Sequence, residues 1–302
     1  MKTISVKVFA LLIVLLSLCS ESMYAQKALL RQKINQIAQT AKGKVGVAVL
    51  GLEDKDTLTY NGYSHMPMQS VFKFPLALAI LDQVDKGKFT LSQKIHLTKK
   101  DMVPNTMSPL KDKYPNGNVD IPLSEILEYT VAKSDNNGCD VLFRLIGGPK
   151  KVDQYIHSLG VKGISIVATE EAMHQNWNTQ FTNWCEPVAL TQLLEVIYQG
   201  KHLSKSSKDF LKTLMTKTTT GLNRIKGMLP KGTIVTHKTG TSDTNDKGVT
   251  AATNDAGIVT LPNGKHFAIV VLVTNSPEKE AVREGIIARI TKTVWDYYVA
   301  KH

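Results

Sequence analysis

The chain predicts an α+β fold: one antiparallel sheet assembled from both ends of the sequence and flanked by helices, with an all-helical lobe inserted between them. Three observations carry this. Strand patterns lie near the start, at Val45 to Leu50 and Thr57 to Asn61, and near the end, at Thr233 to His237, Ala256 to Leu261 and His266 to Thr274. From Ser70 to about Thr218 the apolar residues recur at helical spacing, broken by loops such as Tyr114-Pro115-Asn116-Gly117. Amphipathic helices at residues 27 to 42 and about 278 to 299 complete the pattern. The expected division is an α/β lobe of residues 26–67 and 219–302 around a helical lobe of residues 68–218. A site is expected where the lobes meet.

The first element is not part of the fold. Lys2 and Lys7 precede an apolar run from Val8 to Leu18, followed by a polar stretch ending at Ala25. This is the pattern of a secretory signal peptide spanning residues 1–25, and it predicts a periplasmic protein. The run is too short to span a membrane comfortably. A lipid anchor at Cys19 is disfavoured because Leu18 is bulky where a small residue is wanted. Without Lys2, Lys7 and Glu21 the net charge of +11 becomes +10. A basic exported protein suits anionic substrates, or is simply soluble. Nucleic acid is a poor partner for it, because the lysines are spread along the chain with no accompanying motif. The expectations are a monomer with no stable membrane insertion, no cofactor and no metal. None of the eight histidines shows paired ligand spacing. Cys139 and Cys185 are expected to be free buried thiols.

The segment Ser70-Val71-Phe72-Lys73 opens an apolar helix that continues through Phe74-Pro75-Leu76-Ala77-Leu78-Ala79-Ile80-Leu81. A lysine in such a place is expensive unless it is paired or its charge is suppressed. Ser-x-x-Lys also occurs at Ser108 and Ser276, but each of those serines is followed by proline, and no sustained helix aligns Ser108 with Lys111. At a spacing of three on a helix, Ser70 and Lys73 share a face, and the free N–H groups of the helix start favour a developing anion. A lysine that is neutral part of the time can accept the serine proton. The alternative is a lysine reaching solvent, with Ser70 as a cap. Two further motifs each occur once: Ser134-Asp135-Asn136 after the helical pattern Leu123 to Lys133, and Lys238-Thr239-Gly240 after the strand Thr233 to His237.

Taken together and in this order, the three motifs resemble the serine acyl-transferases that comprise class A β-lactamases and penicillin-binding proteins. The whole chain beyond the signal peptide is similar to a class A β-lactamase. Pro67-Met68-Gln69-Ser70-Val71, Thr218-Thr219-Thr220-Gly221, His237-Lys238-Thr239-Gly240-Thr241 and Ala251-Ala252-Thr253-Asn254-Asp255 resemble the extended-spectrum PER- and VEB-like branch. The resemblance implies the serine β-lactamase/DD-peptidase fold and hydrolysis of the β-lactam ring of penicillins and cephalosporins, oxyimino-cephalosporins included. Ser70 would be the nucleophile, Lys73 its proton partner and Ser134 the relay to the leaving nitrogen. The backbone N–H groups of Ser70 and Thr241 would form the oxyanion hole. Asn136 would bind the substrate's amide side chain, and Lys238, Thr239 and Gly240 would meet its carboxylate. Arg224 would add a second cation there, or sit on the surface. Met107 would line the entrance.

The second half of the reaction needs a base to activate water. Within Ala168-Thr169-Glu170-Glu171-Ala172-Met173-His174 the resemblance assigns that role to Glu170, with Glu171 as rival. Here the chain departs from the common family pattern. Glu171 stands where many members have proline, and Ala168 and Asn183 stand where many have an ion pair. His174 replaces an asparagine that helps hold the water. The loop is therefore expected to fold differently, with a trans Glu170–Glu171 bond and a roomier cleft. A DD-peptidase, or a sensor domain that acylates once, remains the alternative.

Overall fold

The structure is a computed structural model that describes residues 25–301. The predicted signal peptide lies outside the described residues except for its last position. Residues 25–39 form helix α1. Strands β1 (Lys44–Gly51) and β2 (Thr57–Tyr60) follow, then β3 (Met66–Pro67), a 3₁₀ turn (Gln69–Phe72) and α2 (Lys73–Asp85). The middle holds β4 (Lys94–Leu97), α3 (Pro109–Lys113), β5 (Val119–Pro122), α4 (Leu123–Ala132), α5 (Asn136–Ile146) and α6 (Pro149–Ser158). Next come β6 (Ile164–Ser165), α7 (Glu170–Gln175), a second 3₁₀ turn (Trp177–Phe181), β7 (Trp184–Cys185), α8 (Pro187–Gln199) and α9 (Lys205–Thr216). The chain closes with β8 (Val235–Thr241), β9 (Thr250–Thr260), β10 (His266–Ser276) and α10 (Glu280–Lys301).

The main sheet is antiparallel with strand order β2-β1-β10-β9-β8, so the chain's two extremities pair as expected, Val47 opposite Val271. Two features differ from the sequence expectation. The inserted lobe is not purely helical: β4 pairs with β5, and β3, β7 and β6 form a small second sheet. The strand expected to end at His237 runs on through the Lys-Thr-Gly motif, with Lys238 opposite Ala256 and Thr241 opposite Thr253. Its partner β9 likewise begins at Thr250 rather than Ala256. Small and polar residues there read as loop, yet the ladder is made by backbone groups and does not need apolar side chains.

Alternation along β10 divides the core. Phe267, Ile269, Val271 and Val273 pack with Ile34 of α1 and with Ile286, Ile290 and Val294 of α10. Ala268, Val270 and Leu272 turn to the opposite face and join the cluster that includes α2 and α8. Helix α2 is buried on all sides from Lys73 to Asp82, which explains its unbroken apolar run. The consequence for the site is rigidity: the turn carrying Ser70 sits at the start of a helix that cannot shift without disturbing both lobes. Among the described residues no helix is long and apolar enough to cross a membrane. Because Ile269 is fully buried in the central strand, Ile269→Ala is expected to destabilise the protein by about 2–5 kcal/mol in denaturant unfolding.

Candidate active site

Ser70 lies in the 3₁₀ turn that leads into α2, so the helix opens tighter than a regular α-helix. This brings the Ser70 hydroxyl within 2.9 Å of Lys73 Nζ, its predicted partner. Lys73 is fully buried. Its ammonium donates to Ser134 O at 2.7 Å and Asn136 Oδ1 at 2.6 Å, and lies 2.8 Å from Glu170 Oε1. An ammonium has three N–H donors, and here four oxygens surround it, so no partner holds a proton exclusively. Ser70 Oγ is also 3.3 Å from Glu170 Oε1. The solvent-reaching alternative for Lys73 is therefore wrong.

The other motif residues converge on the same point. Ser134 sits between α4 and α5 with φ of 59°, a left-handed conformation costing about 1–2 kcal/mol for a residue with a side chain. It aims the Ser134 carbonyl at Lys73 while the hydroxyl accepts from Lys238 Nζ at 2.8 Å. Asp135 caps α5 at Gly138 N and also accepts from Ser108 Oγ and Leu110 N. Thus Ser108, which heads the second Ser-x-x-Lys copy, serves to hold this turn. Ser276 also has a structural role, donating to Ala41 O and accepting from Glu278 N.

Strand β8 is the edge of the sheet, and its free side borders the cleft. Backbone direction alternates along it. Ser242 N bonds Ala252 O across the sheet, whereas His237 O is taken on the other side by Thr218 Oγ1. Thr241, in step with His237, turns its N–H to the free side. Gly240 is required by close approach: a Cβ there would lie 2.4 Å from Met68 O, at the start of the turn carrying Ser70. Asn254 Nδ2 fastens β9 to the same turn through Pro67 O and Met68 O. The cleft of ≈ 460 Å³ is lined by Ser70, Ser134, Asn136, Glu170, Thr239 and Thr241, with Met107 and His174 at exposed positions.

The comparisons with known proteins agree with this constellation. The model of the β-lactamase enzyme family matches residues 28–298. The chain belongs to that family. It is 48% identical to β-lactamase VEB-1 of Pseudomonas aeruginosa, over 96% of this chain and 98% of that protein. With extended-spectrum β-lactamase PER-1 of the same organism it shares 39% identity, over 96% and 94%. Among solved structures, a β-lactamase from Chitinophaga pinensis superposes with a TM-score of 0.88 at 59% identity, covering 89% of this chain and 99% of that one. TLA-1 extended-spectrum β-lactamase gives 0.89 at 57%, covering 90% and 99%. The chain is thus a class A β-lactamase, a hydrolase of β-lactams, with the fold that the motifs imply.

In this β-lactamase hydrogen bonds from Asn183, rather than an ion pair between positions 168 and 183, hold the loop leading to Glu170. Asn183 does the work that its sequence position seemed to deny it. Its Oδ1 accepts from Val167 N and Ala168 N at 2.8 and 2.9 Å, and its Nδ2 donates to Ala168 O. Its carbonyl accepts from Met68 N, tying the loop's end to the residue that follows β3, two before Ser70. Asp140, one turn beyond Asn136 on α5, receives Glu170 N and Glu171 N at 2.8 and 2.9 Å. With Thr169 capping α7, Glu170 is fixed at a helix start. The peptide bonds of the described residues are all trans, Glu170–Glu171 included. Glu171 is exposed and points away from the cleft, which favours Glu170 over its rival.

Arg224 departs from both expectations. It is neither on the surface nor lining the cleft but buried beneath β8, because its donors are spent on Gly240 O, Asn254 O, Thr241 Oγ1 and Glu284. Gln69 and Gln180, absent from the sequence expectation, meet at 2.5 Å and link the turn carrying Ser70 to the loop. Burial and the neighbouring Lys73 hold the Lys238 ammonium well below its ordinary range. Cys139 and Cys185 are free and buried, as expected.

Two consequences are measurable. Asn183→Ala orphans Val167 N and Ala168 N and is expected to cost about 1–3 kcal/mol in unfolding free energy while slowing turnover. Burial raises the Asp140 carboxyl from 3.8 to about 6. Its favourable contribution is therefore complete below pH 3.8 and lost as pH rises through about 6. The stability of the wild type relative to Asp140→Asn should fall across that window by at most about 3 kcal/mol in urea titrations. A rise instead would contradict the burial argument.

Proposed function

We propose that the protein hydrolyses penicillins and cephalosporins through an acyl-enzyme on Ser70, with turnover completed by water activated at Glu170. The observation that carries this reading is the buried Lys73 ammonium set between Ser70 Oγ and Glu170 Oε1 at 2.9 and 2.8 Å. As Ser70 Oγ bonds to the lactam carbonyl carbon, its proton passes to the Lys73–Glu170 pair. The oxyanion is met by the N–H groups of Ser70 and Thr241, each such donor being worth about 3 kcal/mol in other hydrolases. The C–N bond then breaks, and the nitrogen takes the hydroxyl proton of Ser134, which is replaced by the proton held on the Lys73–Glu170 pair, so that Ser134 is restored and Glu170 is again a free carboxylate. The Ser134 proton is available because Lys238 already donates to Ser134 Oγ. Glu170 next removes a proton from water, the hydroxide attacks the ester carbonyl, and Ser70 Oγ leaves with a proton regained.

Lys238 and Thr239 offer charge-assisted binding to the substrate carboxylate. Arg224 acts behind them, orienting Thr241. Asn136 presents its amide to the cleft while bonded to Lys73 and to Thr106 Oγ1. We extend the substrate range to oxyimino-cephalosporins, on the loop's departure from the common pattern and on likeness to PER-1 and TLA-1, both named extended-spectrum enzymes. Export through the 1–25 signal peptide would put the enzyme in the periplasm, ahead of the drug's targets. The presence of a base at Glu170 disfavours the single-acylation alternative.

Purified enzyme should turn over a chromogenic cephalosporin steadily. In Glu170→Gln, kcat should drop by about 10²–10⁴, with acylated Ser70 accumulating in the mass spectrum. Stoichiometric acylation of the wild type would instead favour a peptidase or sensor.

A further inference from the structure

A second buried ionisable pair lies directly behind the substrate-binding strand and has no part in the chemistry above. His237 and Asp255 are both fully buried, and His237 Nδ1 lies 2.9 and 3.0 Å from the two Asp255 carboxylate oxygens. Asp255 Oδ2 also accepts from Ile225 N at 3.1 Å. The other ring nitrogen, Nε2, is buried with no partner among the described residues. Apolar residues of the same size would be cheaper here, since a buried charge must be desolvated and an orphaned polar atom costs more still. The pair is thus a burden to stability that packing alone does not explain.

From these contacts we infer that His237 and Asp255 form a positioning pair that holds the Lys238-Thr239-Gly240-Thr241 segment against the cleft. The inference rests on the proposed role of that segment in binding the substrate carboxylate and oxyanion. As an edge strand, β8 has a sheet neighbour on one side only, so its position toward the cleft must be set by side chains. Each end of the segment is held. His237 is tied through its carbonyl to Thr218 and through its ring to Asp255. Asp255 continues to Ile225 N, beside Arg224, whose guanidinium reaches Gly240 O and Thr241 Oγ1 at 3.1 and 2.8 Å. Thr239 is held between them by Thr220. The Asp255 charge also favours the ammonium form of Lys238, which burial and Lys73 oppose. With Nδ1 donating to Asp255, the orphaned Nε2 is an acceptor, and buried acceptors are left unpaired more readily than buried N–H groups.

The test compares His237→Asn, whose amide can reproduce the Nδ1 donor, with His237→Leu, which matches the ring better in volume but donates nothing. Acylation and deacylation are followed separately by rapid mixing with a chromogenic cephalosporin, corrected by active-site titration. Positioning predicts that Asn keeps the acylation constant within about threefold of wild type. Leu should lose about tenfold or more, with deacylation unchanged in both. If the pair serves packing alone, Leu will equal or exceed Asn, or both steps will fall together, and either result overturns the inference. Should Leu fail to fold, Asp255→Asn decides: it turns one acceptor at the joint into a donor, so unimpaired acylation would be equally fatal. Lys238→Ala is the control for the underlying reading. If it acylates like wild type, the assigned role of β8 is wrong; if it is impaired while Leu is not, only the positioning pair is wrong.

Discussion

The Lys73 ammonium joins four elements at one point. It binds the 3₁₀ turn through Ser70, the α4–α5 junction through the Ser134 carbonyl, α5 through Asn136, and the start of α7 through Glu170. Taking that cation out of water is costly, and the protein offsets the cost with polar groups of unusual placement. Ser134 adopts a left-handed backbone to present its carbonyl, and Gln69, beside the nucleophile, does likewise with φ of 48°. Conformational strain in a fold is tolerated where the surroundings over-determine it. Here the fully buried α2 behind the lysine and the sheet edge in front supply that constraint.

Around this centre the walls of the cleft are fastened by neutral hydrogen bonds more than by ion pairs. Asn183 holds the Glu170 loop by its backbone, Asn254 joins β9 to the nucleophile turn, and Gln69 meets Gln180 across the cleft floor. Such contacts are directional and insensitive to ionic strength, unlike an exposed ion pair. The carboxylate that meets the loop's main chain is Asp140 of α5, which caps the Glu170 segment and is desolvated to do so. A loop held by its main chain can vary its exposed side chains freely, His174 among them, without releasing the base.

Much of this was legible in the sequence, and the limits are physical. The two-ended sheet and the buried α2 follow from apolar periodicity, which burial enforces. Ser70, Lys73, Ser134 and Lys238 were identified by their company rather than by any single spacing. The structure gathers them, and shows that the copies at Ser108 and Ser276 serve turns. The sequence pattern ends strand β8 at His237 because backbone pairing leaves no mark on Lys238-Thr239-Gly240. The burial of Arg224 is not legible because an isolated arginine reads the same whether it meets solvent or buried oxygens. Asn183 was seen only as a lost ion pair, since its hydrogen bonds go to main-chain atoms that carry no sequence signal. Asp140 had a weak one: it lies four residues after Asn136 on a helix and so shares the face that meets the site. Gln180 had none.

The central claim is that the buried Lys73 both assembles the site and serves as the proton partner of Ser70. The most direct measurement is the rate of Ser70 acylation in Lys73→Ala, followed by mass spectrometry on protein whose circular dichroism matches the wild type. The account predicts a fall of about 10²–10⁴ in that rate with the fold retained. Acylation at the wild-type rate would contradict it.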